Sequence, residues 1–172
     1  NTLIGGDGSD RLYGGLGNDT IEAGTGINYV DGGTGSDTIS YKNSSSAIKL
    51  NLSLTTAQTI NSTTDTLINI ENVIGSKYAD NITGKDNSTT TITLDGGDGD
   101  DILKVGLNSV NKLFGGTGDD TLVSTLIGFK NKSAGIDFSY GSSYLNGGEG
   151  YDTYSVKDYV TIEDDDGLGE IQ

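Results

Sequence analysis

The chain has 172 residues, only 32% of them hydrophobic, and a formal net charge of −15 from 25 acidic and 10 basic side chains. A chain so poor in apolar residues and so rich in like charge tends to stay disordered unless cations neutralise its carboxylates. The acidic excess argues against nucleic acids and anionic membranes as partners, and the absence of cysteine and histidine excludes disulfides and thiolate or imidazole chemistry.

Four glycine-rich units of nine residues fill the N-terminal region, at 5–13, 14–22, 23–31 and 32–40. We number each unit from its first residue, so that GGDGSD, GGLGND, AGTGIN and GGTGSD are positions 1 to 6. Position 6 is Asp10, Asp19, Asn28 and Asp37, and position 8 is Leu12, Ile21, Val30 and Ile39. Glycines permit a tight turn, and positions 7 to 9 alternate as a very short strand does. Residues 1–4 fit positions 6 to 9 of a further unit, so we expect a piece of a longer protein.

Residues 41–74 interrupt the repeat. The segment 47–54 (AIKLNLSL) alternates as a half-buried strand, and 66–74 (TLINIENVI) is a second strand candidate. We expect both to be longer coils of one solenoid, and the polar run 55–65 between them to be a solvated loop.

The repeat returns in a second, degenerate block. Its units are 75–83, 96–104, 115–123 and 147–155, with Asp80, Asp101, Asp120 and Asp152 at position 6 and Ile82, Leu103, Leu122 and Tyr154 at position 8. The spacing predicts small insertions with degenerate turns near 84–89 and 105–111, and a bulge or loop in 124–146. The acidic tail 156–172 is predicted to be a solvated cap, although EDDDG (163–167) could bind an extra cation.

The fixed repeat length gives the recurring acid at position 6 a structural role. If two units form one coil, turns 18 residues apart stack on one edge and bring their position-6 carboxylates close together, where they repel. A hard cation such as calcium, which takes 6–8 oxygen ligands including backbone carbonyls, reverses the sign of that interaction. A metal-free solenoid gives the acid no reason to recur while positions 3 and 5 vary.

The units match the pattern GGxGxDxUx, in which U is a large apolar residue, and therefore resemble the RTX (repeats-in-toxin, hemolysin-type) calcium-binding nonapeptide repeats. Ala23 and Asn28 in one unit, and Ser76 and Tyr78 in another, depart from the pattern. Segments 65–84 and 147–171 also look like stretches found in RTX proteins. The resemblance implies an all-β fold, a right-handed parallel β-roll (β-solenoid) with inserted longer coils and loops.

The resemblance also implies the calcium ligands. One turn supplies the carbonyls of positions 2 and 4 and the acid of position 6, and the facing turn supplies the carbonyls of positions 1 and 3 and its own acid. The two best-matching sets are Gly15, Gly17 and Asp19 with Gly32, Thr34 and Asp37, and Gly97, Gly99 and Asp101 with Gly115, Thr117 and Asp120. Further sets are Gly6, Gly8 and Asp10 with Ala23, Thr25 and Asn28; Ser76, Tyr78 and Asp80 with Gly96, Asp98 and Asp101; and Gly116, Gly118 and Asp120 with Gly147, Glu149 and Asp152. Because Asn28 lacks a charge, we expect its site to be weaker or empty.

In function, the resemblance implies a calcium-binding domain of a secreted bacterial protein, exported unfolded by type I secretion machinery and folding on calcium outside the cell. An alternative is a calcium-stabilised adhesive or glycan-binding module of a large surface protein, with 124–146 as the candidate contact for a host-surface or glycan ligand. We expect no catalysis from this chain and no membrane-spanning segment, although the parent protein could be a toxin, protease, lipase, epimerase or adhesin. The expected division is 1–40, first block; 41–74, longer strands; 75–155, second block; and 156–172, acidic cap.

Overall fold

The computed structural model describes residues 1–61, 63–106, 109–124, 143–156, 160–164 and 166–172. Within these ranges the chain is all-β, with 19 strands and no helix. It follows that the described residues offer no helix that is long and apolar enough to cross a bilayer. The expectation of an all-β, parallel β-roll is confirmed.

The strands are short because each one spans only the side of a coil. They are β1 Thr2–Ile4, β2 Asp7–Gly8, β3 Arg11–Leu16, β4 Thr20–Glu22, β5 Thr25–Thr34, β6 Thr38–Ser40, β7 Lys49–Asn51, β8 Gln58–Ile60, β9 Thr63–Ile68, β10 Asn72–Ile74, β11 Asn81–Thr83, β12 Ile92–Asp98, β13 Ile102–Lys104, β14 Asn111–Thr117, β15 Thr121–Ser124, β16 Ser143–Glu149, β17 Thr153–Val156, β18 Val160–Glu163 and β19 Glu170–Ile171.

Successive units contribute alternately to two faces, so each coil supplies one strand to each face. The front face is one eight-stranded sheet in the order β1-β4-β6-β10-β12-β14-β16-β18. The back face is a six-stranded sheet, β19-β17-β15-β13-β11-β7, preceded by β3, β5 and β9, which pair in that order. All of these pairings are parallel, as expected when each coil lies on the one before it.

The register shows how many residues each coil uses. Thr2 pairs with Thr20, and Thr20 with Thr38, so the first coils contain two nine-residue units each. Later coils are longer: Lys112 pairs with Tyr144 on the front face and Thr121 with Thr153 on the back, the same offset of 32 residues. Of the segment 124–146, where we expected the added length, residues 125–142 lie outside the described ones, as do residues 107–108 of the expected turn at 105–111.

The core is a column of side chains between the two faces. The position-8 residues at its centre are 0–1% exposed: Ile21, Val30, Ile39, Ile82, Leu103, Leu122 and Tyr154. Leu3 and Leu12 of the first coil are partly buried and pack against them. Every unit therefore contributes one apolar side chain, and their burial through the stack stabilises a chain with little other apolar material.

The segment 55–65 is not the solvated loop that its polar composition predicted. Residues Gln58–Ile60 form an antiparallel pair with the start of β9, and Ile60 is only 1% exposed. The polar side chain of Gln58 is 8% exposed and accepts a hydrogen bond from the Asn51 amide at 2.9 Å. The polar composition of 55–65 did not predict this hairpin, because its buried polar side chain, Gln58, is hydrogen-bonded within the protein rather than to water.

The predicted strand 66–74 is divided in two. β9 ends at Ile68 on the back face, and β10 begins at Asn72 on the front face. Asn69 has a φ of 51°, which turns the chain, so residues 69–71 pass from one face to the other in three residues. Turn 69–71 therefore occupies the place of a six-residue glycine turn.

Candidate metal centre

Glycine turns connect the faces along two edges. Along the first edge lie turns 5–10, 23–28, 75–80, 96–101, 115–120 and 147–152. Along the second edge lie the glycine turns 14–19 and 32–37 and the shorter turn 69–71, which has no glycine. In the complete glycine turns, positions 2 and 4 have positive φ, for example 113° at Gly116 and 128° at Gly118. Ser76 and Tyr78 are not among the described residues with positive φ, so turn 75–80 has a different backbone.

Stacking adds a second reason for glycine at positions 2 and 4. A Cβ on Gly116 would collide with the carbonyl oxygen of Gly97, which is the equivalent residue of the preceding coil. Gly33 and Gly15, and Gly148 and Gly116, are related in the same way. The turns therefore lie with backbone against backbone, and their carbonyl groups are not screened by side chains.

Glycine at position 1 has a different role, because it leaves room for the acid. We call the point that a Cβ on this glycine would occupy the corner point. At Gly14, both Asp19 Oδ2 and the carbonyl oxygen of Gly32 lie within 3.0 Å of the corner point. The same convergence of a position-6 oxygen and the next coil's position-1 carbonyl occurs at Gly5, Gly75, Gly96 and Gly115. In each of these turns an acid oxygen and a carbonyl oxygen from two different coils lie side by side.

The position-6 acids of the second block form a column along the first edge. Each Oδ1 accepts a hydrogen bond from the backbone N–H of the acid one coil earlier: Asp80 to Asp101 at 2.7 Å, Asp101 to Asp120 at 2.7 Å and Asp120 to Asp152 at 2.9 Å. The Asp80 Oδ1 itself accepts from the Ile48 amide at 2.8 Å. The structure thus brings together the pairs Asp80 and Asp101, Asp101 and Asp120, and Asp120 and Asp152.

A second column runs along the second edge. The Asp19 amide donates to Asp37 Oδ1 at 2.8 Å, and the Asp37 amide donates to Glu71 Oε2 at 3.0 Å. The pair Asp19 and Asp37 was expected, but Glu71 was not, since no glycine turn precedes it. Its signal in the sequence is the triplet Glu71-Asn72-Val73, an acid two residues before a buried apolar residue, as at positions 6 to 8 of a unit.

One oxygen of most of these acids has no partner. The Oδ2 atoms of Asp10, Asp19, Asp37, Asp101, Asp120 and Asp152 are buried and have no hydrogen-bond donor among the described residues. A buried carboxylate oxygen without a partner is costly, since it has lost water and gained nothing in return. These six equivalent atoms are therefore the candidate contacts for a cation.

Burial also disfavours the charge on three of these acids, Asp101, Asp120 and Asp152, in the metal-free protein. It raises the pKa of Asp101 to about 8 and that of Asp120 to about 7, with the neighbouring acids adding repulsion and the hydrogen bond to Oδ1 opposing the change. The pKa of Asp152 is raised for the same main reason, burial. Such groups bind either a proton or a metal ion at neutral pH.

The donor set fits calcium better than a transition metal. In the described part of the chain, no group of three or more acidic side chains converges on one point, so side chains alone cannot form the site. Backbone carbonyls must supply the remaining ligands, and calcium accepts them readily. The position-3 carbonyls of Thr34, Thr117 and Glu149 lie in the facing turns and accept hydrogen bonds from the amides of Gly17, Gly99 and Gly118 at 2.9, 2.7 and 2.8 Å.

Turn 75–80 satisfies its acid without a metal. Asp80 Oδ2 accepts from the Ser76 amide at 2.6 Å, and Oδ1 accepts from the Ser76 hydroxyl at 2.8 Å. Ser76 thus supplies donors where the glycine turns have none. Asp80 lies next to Asp101 as the spacing predicted, but its own oxygens are already paired.

Turn 23–28 is also completed by protein groups. Asn28 is 3% exposed, and its Nδ2 donates to Asp65 Oδ1 at 2.9 Å. The other oxygen of Asp65 accepts from the Tyr41 hydroxyl at 2.9 Å, and Ala23 carries a Cβ where the other units leave the corner point open. The amide group of Asn28 is therefore engaged by Asp65, and the weaker or empty site expected at Asn28 stays a prediction. Asp65 was missed, although Asp65-Thr66-Leu67 is again an acid two residues before a buried apolar residue.

Comparison with known families identifies the repeat. The family model for the RTX calcium-binding nonapeptide repeat (4 copies) matches residues 1–30, 22–40 and 105–124. Residues 1–40 and 105–124 carry RTX calcium-binding repeats. These RTX repeats bind several calcium ions per domain and are a structural, not a catalytic, module. The matched ranges include the turns of Asp19, Asp37 and Asp120. No curated protein matches the chain.

Proposed function

We propose that this RTX domain is a calcium-dependent folding module of a secreted bacterial protein. The observation that carries the proposal is the set of six buried Oδ2 atoms that find no hydrogen-bond donor among the residues that the structure describes, in a chain with a net charge of −15. Without a counter-ion, the folded state concentrates these charges in two columns and is destabilised by them.

The residues expected to hold calcium are those of the facing glycine turns. The strongest candidates pair Asp19 with Asp37 and Asp101 with Asp120, together with the carbonyls of positions 1 to 4. Bound calcium supplies positive charge and accepts several oxygen ligands at once. The chain supplies the rest: the turns orient the carbonyls, and the amide-to-Oδ1 hydrogen bonds hold each acid facing its neighbour.

Calcium concentration then controls folding. Extracellular calcium modules have dissociation constants of about 10⁻⁴–10⁻³ M, far above the calcium level of a cytosol. Each site at a free calcium of 100 times its Kd adds about 2.7 kcal/mol to the folded state. The domain is therefore expected to be unfolded inside the producing cell, in a state suited to type I export, and to fold outside it.

A calcium titration followed by far-ultraviolet circular dichroism tests the folding switch. We expect little β signal in EDTA, a cooperative rise with calcium in the range of about 10⁻⁴–10⁻³ M, and no equal rise with magnesium, which dehydrates reluctantly and demands a rigid octahedral shell. A full β signal in EDTA would reject the proposal. Export is tested separately, by immunodetection of the parent protein in culture medium and cell pellet; retention in the pellet contradicts secretion.

A further inference from the structure

Turn 69–71 shares the features of the glycine turns without their sequence. The carbonyl oxygen of Asn69 and Asp37 Oδ2 both lie within 3.0 Å of the corner point of Gly32. Asn69 therefore supplies the carbonyl that position 1 of the next coil supplies elsewhere on the edge. Glu71 Oε2, by accepting the Asp37 amide at 3.0 Å, takes the place of the next position-6 acid.

The oxygens at this corner are buried and incompletely satisfied. Asp37 is 0% exposed and its Oδ2 has no donor among the described residues, while Glu71 is 9% exposed. Lys85 Nζ lies 3.9 Å from Glu71 Oε1, a separation that is too long for a hydrogen bond. Two buried carboxylates and a backbone carbonyl therefore lie at this corner. The long ion pair between Lys85 and Glu71 compensates their negative charge only weakly.

Asp65 occupies on the first edge the position that Glu71 occupies on the second, and protein donors satisfy both of its carboxylate oxygens. It accepts hydrogen bonds from Asn28, Tyr41 and Thr63 and is 0% exposed. Asp80 is likewise closed by Ser76. At the corner between turn 32–37 and turn 69–71, the described part of the chain offers no such donor to Asp37 Oδ2.

We propose that turn 32–37 and turn 69–71 together bind a calcium ion, with Asp37, Glu71 and the Asn69 carbonyl as ligands, at a place that the nonapeptide pattern does not mark. The inference rests on the proposed function, because it adds one ion to a calcium-binding array. An acid two residues before a buried apolar residue, together with Asn69 in the left-handed region, replaces a full glycine turn here.

Counting bound ions tests the proposal. Native mass spectrometry and calorimetry of the whole domain at saturating calcium should show one ion fewer in Glu71→Gln than in the wild type, or one site weakened on the order of tenfold or more. Glutamine keeps an oxygen to accept the Asp37 amide, so the fold should survive. Glu22→Gln, on the front face beside Lys42 and Asn43, is the matched control and should bind the wild-type number.

A second variant covers the possibility that Glu71→Gln does not fold. If Glu71 binds calcium, Lys85→Met removes a competing positive charge and should tighten one site without changing the number of ions. If Glu71 serves only to pair with Lys85, Lys85→Met leaves calcium affinity unchanged, which overturns the proposal. An unchanged ion count and an unchanged calcium affinity in Glu71→Gln also overturn the proposed site at turn 69–71. In that case calcium binding by the wild type leaves the proposed function intact. A wild type that binds no calcium refutes both the site and the proposed function.

Discussion

The backbone N–H of Asp101 donates a 2.7 Å hydrogen bond to Oδ1 of Asp120, while Oδ2 of Asp120 is buried with no donor among the described residues. One carboxylate thus has two separate tasks. Its first oxygen joins two coils whether or not metal is present, and its second oxygen is available to a cation. Substitutions can separate the two tasks because asparagine retains one oxygen and loses the charge.

Asp120→Asn should change calcium binding and metal-free stability in opposite directions. We expect the calcium midpoint of folding to rise on the order of tenfold, because a charged ligand is lost from the column. In EDTA the variant should be less unstable than the wild type, since a buried, uncompensated charge has been removed. Circular dichroism titrations with calcium, and urea unfolding in EDTA, measure the two effects.

The matched control for this experiment is Asp98→Asn, in the preceding turn of the same edge. Asp98 is exposed and its Oδ1 accepts a hydrogen bond from the Thr117 hydroxyl at 3.0 Å, which asparagine can also accept. The change in net charge is identical, so the control should move the calcium midpoint little. Equal shifts in both variants would show that overall charge, not the buried oxygen, governs folding.

Two glycine substitutions separate backbone strain from coil stacking. Gly15 and Gly116 are both at position 2, with φ of 99° and 113°, but a Cβ on Gly15 meets nothing within 4 Å, whereas one on Gly116 strikes the Gly97 carbonyl. Gly15→Ala should cost roughly 1–2 kcal/mol from strain alone. Gly116→Ala should cost clearly more. Urea unfolding at saturating calcium measures both; equal losses would contradict the stacking argument.

Metal-free folding should depend on pH in a defined direction. The folded-state pKa values of Asp101 and Asp120, about 8 and about 7, are raised above the unfolded value near 4. Their protonation therefore favours the fold fully below about pH 4, and this contribution is lost as pH rises through 7 to 8. In EDTA the β signal should be stronger at pH 5 than at pH 9.

The double variant Asp101→Asn/Asp120→Asn provides the control for the pH experiment, because general charge repulsion also falls as acids are protonated. Its β signal in EDTA should depend on pH less steeply than that of the wild type. In the wild type, calcium binding near pH 7 should release protons, which calorimetry in buffers of different ionisation enthalpy detects. A metal-free signal that rises with pH would refute the assignment.

Turn 75–80 should accept a metal ion once its internal donors are removed. Ser76→Gly/Tyr78→Gly restores the glycines at positions 2 and 4 and takes away the hydroxyl that donates to Asp80. We expect one additional bound calcium ion, or a tighter site beside Asp101, by native mass spectrometry. Ser53→Gly, whose hydroxyl lies near the Gly84 carbonyl at 3.4 Å, removes a hydroxyl elsewhere and should leave the ion count unchanged.

Much of the fold could be predicted because the nine-residue repeat determines which residues are buried and which turns stack. Nine residues per unit place Ile21, Ile39 and Leu103 at position 8, and all three are 0% exposed. The same period predicts turns 18 residues apart on one edge, and the register of Thr2, Thr20 and Thr38 confirms it. Regular repetition leaves few alternatives for a chain with so little apolar surface.

Interactions between segments without the repeat could not be predicted in the same way. Glu71 and Asp65 join the columns through partners 34 and 37 residues away, Asp37 and Asn28, at distances that no local spacing encodes. Ser76 stands where the pattern has glycine, and only the three-dimensional contacts show that its amide and hydroxyl donate to Asp80. The hairpin beginning at Gln58 could not be predicted from composition, because the polar residues of its two strands pair with each other through the backbone.

The equal offset of 32 residues between Lys112 and Tyr144 and between Thr121 and Thr153 has a practical consequence. The coil on either side of the added length is in register on both faces, and the amide of Asp120 still reaches Asp152 at 2.9 Å. The roll therefore tolerates extra chain between Ser124 and β16 without displacing its acidic edge. Under the proposed function, a foreign peptide grafted there would be joined to a scaffold whose assembly an experimenter could switch on and off with a chelator.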